Sequence, residues 1–303
     1  MSKKKNTAFP DFNKWYLETM IKAPKESVLG RVRTLWWPSF IAKLKNSTSI
    51  GFMDSLDIFM DKSRDKLKRM AVIYAKENAP RQRDKQMQLQ NQFLKSNTGK
   101  MFERFIGLTI AAALRHFNLP YSIVPFNNEA FALIADKVKM SKEEFTVKIN
   151  NCEGAESNID SDLLLFSNDA PDKFVVMISV KSTLKDRFHN VPFWNLLRRC
   201  SVSDDFPEIV PTNKTLLRNV YYIAICTDLA EEQPDFASEE GPRNLLQLDA
   251  SLLDGAFVTA SKAKGLNNTL DCFGIKRPYA FNPLTSFINY LAKRSGIEVL
   301  PVQ

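Results

Sequence analysis

Two aspartates and a lysine could do chemistry together at the ends of one predicted β-hairpin. Asp160 and Asp162 stand two positions apart at the start of an apolar run, and Ser179 and Lys181 stand two positions apart at the end of another. Because side chains alternate between the faces of a strand, each pair shares one face. A turn centred near Ala170 would place Asp160 opposite Lys181 and Asp162 opposite Ser179. The pattern therefore predicts that carboxylates and an ammonium group converge at the open end of the hairpin.

This combination of side chains suits the hydrolysis of a phosphodiester. Carboxylates hold Mg²⁺, which polarises the phosphate and activates water, and a nearby lysine stabilises charge or helps to deprotonate the nucleophile. We therefore predict Mg²⁺ as the cofactor, Asp160 and Asp162 as catalytic metal ligands, and Lys181 as a catalytic group. The spacing leaves the principal ligand open between the two aspartates, and the expected pairing with Lys181 favours Asp160.

Glu103 is the third candidate for a catalytic acid and metal ligand. It shares a predicted helix face with Ile106 and Gly107, at spacings of three and four residues. An acid on an apolar face needs a partner. A metal ion would supply one, and the alternative is a basic neighbour such as Arg104 or Lys100, together with the favourable dipole at a helix start.

Helical and mixed patterns along the chain indicate the elements that position these residues. From Phe12 to about Leu94 the pattern is helical, without a convincing strand. After Gly99, a long helix is followed by strands that alternate with helices, which predicts an α/β (α+β) fold on a mixed sheet. Strands are predicted at 162–167, 174–181, 219–227 and 256–260, and helices at 101–117, 192–200 and 284–293. A boundary near Ser96 would give a helical domain at 1–95 and a catalytic domain at 96–303.

Positive charge is concentrated in the first third of the chain. The sequence has 42 Lys and Arg against 34 Asp and Glu, a net charge of +8 at pH 7. Residues 1–100 hold 21 basic and 9 acidic side chains, so the remainder carries a net charge of −4. Such a segment is typical of proteins that bind polyanions, although solvated basic helices have the same composition. The helical domain is expected to contact flanking DNA or to brace a dimer.

Composition excludes several classes of protein. With 44% hydrophobic and 25% charged residues, the chain matches ordinary globular usage and not a collagen-like or disordered sequence. No apolar run approaches the roughly 18 residues that a membrane span needs. Four widely spaced cysteines and only two histidines argue against a zinc site. We expect a cytoplasmic protein with reduced cysteines and no membrane partner.

The hairpin resembles the PD-(D/E)XK nuclease signature in a variant form, in which Ser or Thr replaces the acid two positions before the lysine. Here Asp160 or Asp162 is followed by Ser179-Val180-Lys181. That variant is found in the CCGG-recognising type II restriction endonucleases. The resemblance covers roughly residues 99–230, and it implies a PD-(D/E)XK restriction-endonuclease-like mixed sheet flanked by helices.

The next six residues, Ser182-Thr183-Leu184-Lys185-Asp186-Arg187, resemble the family's recognition segment, in which an Arg-acid-Arg cluster reads G and C edges. Arg187 can donate two hydrogen bonds to guanine O6 and N7, and Asp186 can accept one from cytosine N4. Lys185 stands where the family usually has Arg. A lysine can contact guanine but lacks the planar fork of a guanidinium group.

The chain departs from the family's pattern in two respects. Family members often carry a further acid about a dozen residues after the catalytic lysine, whereas this chain has Phe193-Trp194-Asn195 there. Glu103 is expected to substitute for that acid. No proline precedes either aspartate. On the helix that follows, Arg198 and Arg199 are candidates for DNA phosphate contacts, with a solvated helix face as the alternative.

The resemblance implies a Mg²⁺-dependent type II restriction endonuclease that makes double-strand breaks at a palindromic CCGG-containing site. It would cut before the first C and leave 5′ overhangs, with A or T as the expected flanking bases. A palindromic site matches a homodimer, and the pairing of dimers into tetramers stays open. Two alternatives remain. One is a structure-directed repair or recombination nuclease of the same fold, and the other is a DNA-binding protein without catalysis.

Overall fold

The computed structural model describes residues 10–22, 63–150, 155–181, 190–226, 252–259 and 282–297. The helices of these ranges are α1 (Phe12–Ile21), α2 (Ser63–Asn78), α3 (Arg83–His116), α4 (Asn128–Val138), α5 (Asn190–Val202), α6 (Lys214–Arg218) and α7 (Leu284–Arg294), with a short 3₁₀ helix at Lys142–Phe145. The strands are β1 (Tyr121–Pro125), β2 (Thr146–Ile149), β3 (Glu156–Asn158), β4 (Leu163–Ser167), β5 (Val175–Lys181), β6 (Ile209–Pro211), β7 (Val220–Cys226), β8 (Gly255–Val258) and β9 (Asn282–Pro283).

A six-stranded mixed sheet forms the centre of the fold, with strand order β1-β4-β5-β7-β8-β9. The β1–β4 and β4–β5 pairs are antiparallel, whereas β5, β7, β8 and β9 run parallel to one another. Helices pack against both faces, which confirms the predicted fold class of a mixed sheet flanked by helices. A second, antiparallel sheet of order β3-β2-β6 was not predicted, because its strands are only three or four residues long.

The predicted hairpin is present as β4 and β5, in the predicted register. Leu163 lies opposite Ile178 and Phe166 opposite Val175, which centres the turn at Ala170, as expected. Both strands are almost wholly buried, and a slip of one residue would exchange the side chains that face the two helix layers. The open end of the hairpin therefore holds residues 160–162 beside residues 179–181.

Alternate residues of the hairpin enter two hydrophobic clusters, one on each face of the sheet. Leu163, Leu165 and Ile178 belong to the cluster formed with α3 and α7. Leu164 and Met177 belong to the cluster formed with α4 and α6. Continuing the alternation, Asp162, Ser179 and Lys181 fall on the α4 and α6 face of the sheet.

Helix α3 runs without interruption through the predicted domain boundary at Ser96. Met70 of α2 and Phe93 of α3 share a hydrophobic cluster with Val176 of the central strand. Within the described residues, the helical segment and the sheet thus have a common core. The sequence boundary marks a change in surface charge, and the division into two domains stays a prediction. No helix in the described ranges is both long and apolar enough to cross a bilayer.

Candidate active site

The open end of the hairpin brings an aspartate and a lysine into contact. Lys181 is the last residue of β5, and its Nζ lies 3.3 Å from Oδ2 of Asp162. The backbone N–H of Val180 donates to the same oxygen at 2.6 Å, and the Ser179 hydroxyl lies 3.5 Å from it. None of the hydrogen bonds found among the described residues goes to Oδ1.

Electrostatics at Asp162 combine desolvation with nearby charges of both signs. Burial raises the pKa of its carboxyl, the ammonium group of Lys181 and the Val180 hydrogen bond lower it, and the charge of Asp160 raises it again. The side chains of Lys181 and Asp162 are only 18% and 22% exposed. The contact is thus partly shielded from water but open at one end.

Asp160 does not take the position that the hairpin pairing predicted for it. It lies before β4 with its side chain exposed, and the ammonium group of Lys181 contacts Asp162 instead. The reason is that the strand begins only at Leu163, so the pairing does not extend to Asp160. The geometry favours Asp162 as the principal acid, with Asp160 close enough to influence its pKa.

Glu103 of α3 approaches the same end of the sheet from the opposite helix layer. Burial raises the pKa of its carboxyl to about 7, and the charge of Asp162 adds to this, while Arg104, Lys181 and Lys100 oppose it. Its carboxyl is thus within electrostatic range of both Asp162 and Lys181. The structure thus brings Glu103 near Asp162 and Lys181, which follow it by about 60 and 80 residues in the sequence.

The residues present fit a magnesium ion that is completed by its substrate. Mg²⁺ typically takes one or two carboxylates, several waters and substrate phosphate oxygens, not a cage of protein ligands. Within the described residues, Oδ1 of Asp162 has no hydrogen bond. Burial and the charge of Asp162 raise the pKa of Glu103, and a nearby cation would stabilise the ionised form of that carboxyl. Among the described residues, no three His, Cys, Asp or Glu side chains gather into a metal site. Asp162 and Glu103 are acids that would hold Mg²⁺, and Asp160, whose charge acts on Asp162, stays a predicted ligand.

Tyr222 is a residue of this site that sequence reasoning missed. It is fully buried in β7, and its hydroxyl donates to the backbone carbonyl of Asp160. The hydroxyl of Ser161 donates to the carbonyls of Leu163 and Ile178, at 2.9 and 3.2 Å. These bonds fasten the segment that carries both aspartates. A tyrosine inside an otherwise apolar strand is the signal that could have drawn attention to it.

Arg198, predicted to contact a DNA phosphate, is instead committed to the protein interior. It is 6% exposed, and it donates to Asn195 at 2.9 Å, to the Leu217 carbonyl at 3.1 Å and to Asp254 at 3.1 Å. A guanidinium group engaged on three sides cannot reach a phosphate. Arg199 also binds Asp254, at 2.7 Å, but its side chain is 47% exposed. Arg199 thus remains a candidate for a phosphate contact.

The residues predicted to read DNA bases, Lys185, Asp186 and Arg187, lie outside the described residues. They belong to the segment 182–189, which joins Lys181 at the end of β5 to Asn190 at the start of α5. Their assignment to base recognition therefore stays a prediction.

Comparison with known proteins gives only distant structural likenesses. No protein-family model and no curated protein sequence matches the chain. Among solved structures, the chain is similar to the pre-specific restriction endonuclease BsaWI in complex with DNA, at 13% identity and a TM-score of 0.32, covering 88% of this chain and 92% of the other. It is also similar to the restriction endonuclease PspGI in complex with substrate DNA, at 11% identity and a TM-score of 0.39, covering 94% and 93%.

Proposed function

We propose that the chain is a Mg²⁺-dependent type II restriction endonuclease that makes double-strand breaks at a palindromic CCGG-containing DNA site. The observation that carries the proposal is the 3.3 Å contact between Lys181 and Asp162, at the end of β5 in the central sheet. Glu103 lies in electrostatic range of both residues. Phosphodiester hydrolysis needs carboxylates that bind a divalent metal ion and a nearby positive charge, and this partly buried site has two carboxylates and an ammonium group.

Each of the three side chains has a distinct part in the proposed reaction. When bound, Mg²⁺ would polarise the scissile phosphate and lower the pKa of a bound water. Asp162 holds Lys181 in place through Oδ2, and its carboxylate would be one ligand of the ion. Glu103 supplies a second carboxylate from α3. The Lys181 ammonium group stabilises negative charge on the phosphate or orients the water for in-line attack, which would leave 5′-phosphate and 3′-hydroxyl ends.

The proposed specificity depends on the segment that follows the catalytic lysine. Asp186 and Arg187 come five and six residues after Lys181, and Lys185 comes four after it. A span of four residues reaches at most about 14 Å, so a base reader at Lys185 would lie close to the cleaved phosphate. Asp186 and Arg187 would recognise C and G in the major groove. A cut before the first C, and A or T as flanking bases, belong to the same proposal.

The test is digestion of plasmid and phage DNA of known sequence, with Mg²⁺ and with EDTA, followed by sequencing of the fragment ends. We expect discrete fragments with Mg²⁺ alone, CCGG at every end and 5′ overhangs. A smear of fragments would contradict this proposal and would indicate a structure-directed nuclease. Intact DNA in both conditions would replace it with a DNA-binding protein without catalysis.

A second experiment tests the base reader separately from the chemistry. Arg187→Ala should lose discrimination between CCGG and sites with one altered base pair, because a bidentate guanine contact contributes about 1–3 kcal/mol of discrimination. Arg199→Ala is the matched control, since the proposal gives Arg199 only a phosphate contact. It should weaken binding to all sequences equally. Equal discrimination in wild type and Arg187→Ala would reject the assignment.

The proposed oligomer is a homodimer, because a palindromic site presents the same half-site twice. Sedimentation of the protein with a specific duplex should give two chains per duplex, or four if dimers pair. One chain per duplex would contradict the dimer.

A further inference from the structure

Helix α1 of the N-terminal segment is fastened to the edge of the central sheet beside the candidate active site. The buried side chain of Asn13 donates to the Tyr121 carbonyl at 2.7 Å and accepts from the Ile123 N–H at 2.9 Å. Both residues belong to β1, the edge strand. The ring of Phe12 packs edge-to-face on Phe166 of β4, with centroids 6.0 Å apart. The position of α1 is therefore determined by the sheet.

This docking places Tyr16 against the face of α3 that carries Glu103. Tyr16 is 2% exposed, and its ring occupies the space that a side chain at Gly107 would need. A Cβ at Gly107 would lie 2.8 Å from Cε1 of Tyr16 and still nearer to its hydroxyl. Gly107 follows Glu103 by four residues, which puts the two positions on one helix face. Glycine thus admits the tyrosine next to the acid.

The Tyr16 hydroxyl is buried without a hydrogen-bond partner among the described residues. A buried hydroxyl that lacks a partner is unfavourable, and in native proteins such a group calls for an explanation. Burial raises the pKa of this hydroxyl, and the charge of Glu103 raises it further. The hydroxyl is thus a donor within electrostatic range of the Glu103 carboxylate.

We propose that Tyr16 is a positioning residue, whose hydroxyl donates a hydrogen bond to Glu103 when that acid binds a divalent cation. This inference rests on the proposed function. A carboxylate that ligates a metal through one oxygen presents its other oxygen to a second-layer donor, which orients it. The N-terminal helix would then complete the metal site from outside the sheet. The proposed hydrogen bond would give the Tyr16 hydroxyl the partner that it lacks among the described residues.

The experiment measures binding of Mn²⁺ to the DNA-free full chain by calorimetry, in wild type, Tyr16→Phe, Thr109→Val and Glu103→Gln. Thr109→Val is the matched control, because the buried hydroxyl of Thr109, on another face of α3, also lacks a hydrogen-bond partner within the described ranges. Thermal unfolding of each variant without metal reports on the fold. Cleavage as a function of Mg²⁺ concentration gives a second readout.

We expect Tyr16→Phe to weaken Mn²⁺ binding and to raise the Mg²⁺ concentration for half-maximal cleavage, each by about tenfold. Its melting temperature without metal should be unchanged or higher, because an unsatisfied hydroxyl is removed. Thr109→Val should bind Mn²⁺ like wild type, whereas Glu103→Gln should lose most binding.

Three results would overturn the inference, and only the last of them would also overturn the proposed function. If Tyr16→Phe binds Mn²⁺ as tightly as wild type, or if Thr109→Val weakens binding equally, Tyr16 has no role in positioning Glu103 and the proposed function stands. If wild type binds no Mn²⁺ and cleaves no DNA with Mg²⁺, the inference and the proposed function both fail.

Discussion

Two partly buried groups of charged residues lie at different places in this fold, and they differ in how fully their members are hydrogen-bonded within the described residues. Around Asp254, the carboxylate accepts from Arg198, Arg199 and the Tyr222 backbone N–H, and Asn195 completes the contacts of Arg198. Around Asp162, by contrast, one lysine faces two nearby acids.

The difference is between a network of structural contacts and the site that we propose to be catalytic. Burial lowers the pKa of Arg198, but the charge of Asp254 opposes this, and every guanidinium nitrogen has a partner. At the other group, burial raises the pKa of both Asp162 and Glu103, and the charge of Asp160 acts in the same direction on Asp162, as that of Asp162 does on Glu103. A site whose charges are poorly matched by the protein is one that a cation and a phosphate can complete.

Lys181→Ala is expected to have the largest effect, on catalysis. Loss of the ammonium group should reduce the cleavage rate by about a thousandfold, within the range measured for removal of such catalytic groups, and should leave specific DNA binding in place. Lys173→Ala, which removes an exposed lysine from the hairpin turn, is the control and should cleave normally. Rates come from single-turnover cleavage and binding from fluorescence anisotropy with Ca²⁺. A Lys181→Ala protein that still cuts would refute the active-site assignment.

Asp254→Ala should have the next largest effect, on stability. It leaves the buried Arg198 without its anionic partner, which destabilises a protein by about 3 kcal/mol. Urea unfolding measures the change. Asp169→Ala, an exposed acid in the hairpin turn, should change stability by less than about 0.5 kcal/mol. Adding Arg198→Met to Asp254→Ala should recover part of the loss, and no recovery would mean that Arg198 is not the unpaired charge.

Glu103→Gln should stabilise the metal-free protein at high pH while it abolishes most cleavage. The folded-state pKa of Glu103 is raised from 4.5 to about 7, so its contribution to stability is full below pH 4.5 and is lost as the pH rises through 7. Glutamine does not ionise and avoids that loss, a gain of about 2 kcal/mol at pH 8 after allowance for partial exposure. Urea unfolding in EDTA at pH 5 and pH 8 measures it. An identical pH dependence in both proteins would show that Glu103 is not desolvated as described.

Tyr222→Phe should have the smallest effect of the four. It removes the hydrogen bond that holds the Asp160 carbonyl, which is expected to lower stability by about 1 kcal/mol. Cleavage should slow several-fold, because the segment before Asp162 becomes less ordered. Tyr221→Phe, the preceding residue on the other face of β7, is the control. If both variants cleave alike, Tyr222 does not contribute to positioning the aspartates.

Local pattern was enough to predict the hairpin and the longer elements after it. A turn between two continuous apolar runs indicated a pair of buried strands, and a turn centred near Ala170 gave the register that β4 and β5 have. The predicted strands and helices after Phe174 also correspond to β5, β7, β8, α5 and α7. The short strands of the second sheet lacked that signal, because three or four residues cannot show a period.

The candidate site itself was predictable only in part. The sequence by itself determined that both aspartates would lie at the same end of one hairpin as Ser179 and Lys181, because the register follows from the position of the turn. Only the tertiary structure decided that Asp162 takes the contact in place of Asp160, that Glu103 joins it from α3, and that Arg198 is buried. Those outcomes depend on where a strand begins and on how helices pack against the sheet. Contacts between distant parts of the chain produce no periodic pattern of residues from which they could be predicted.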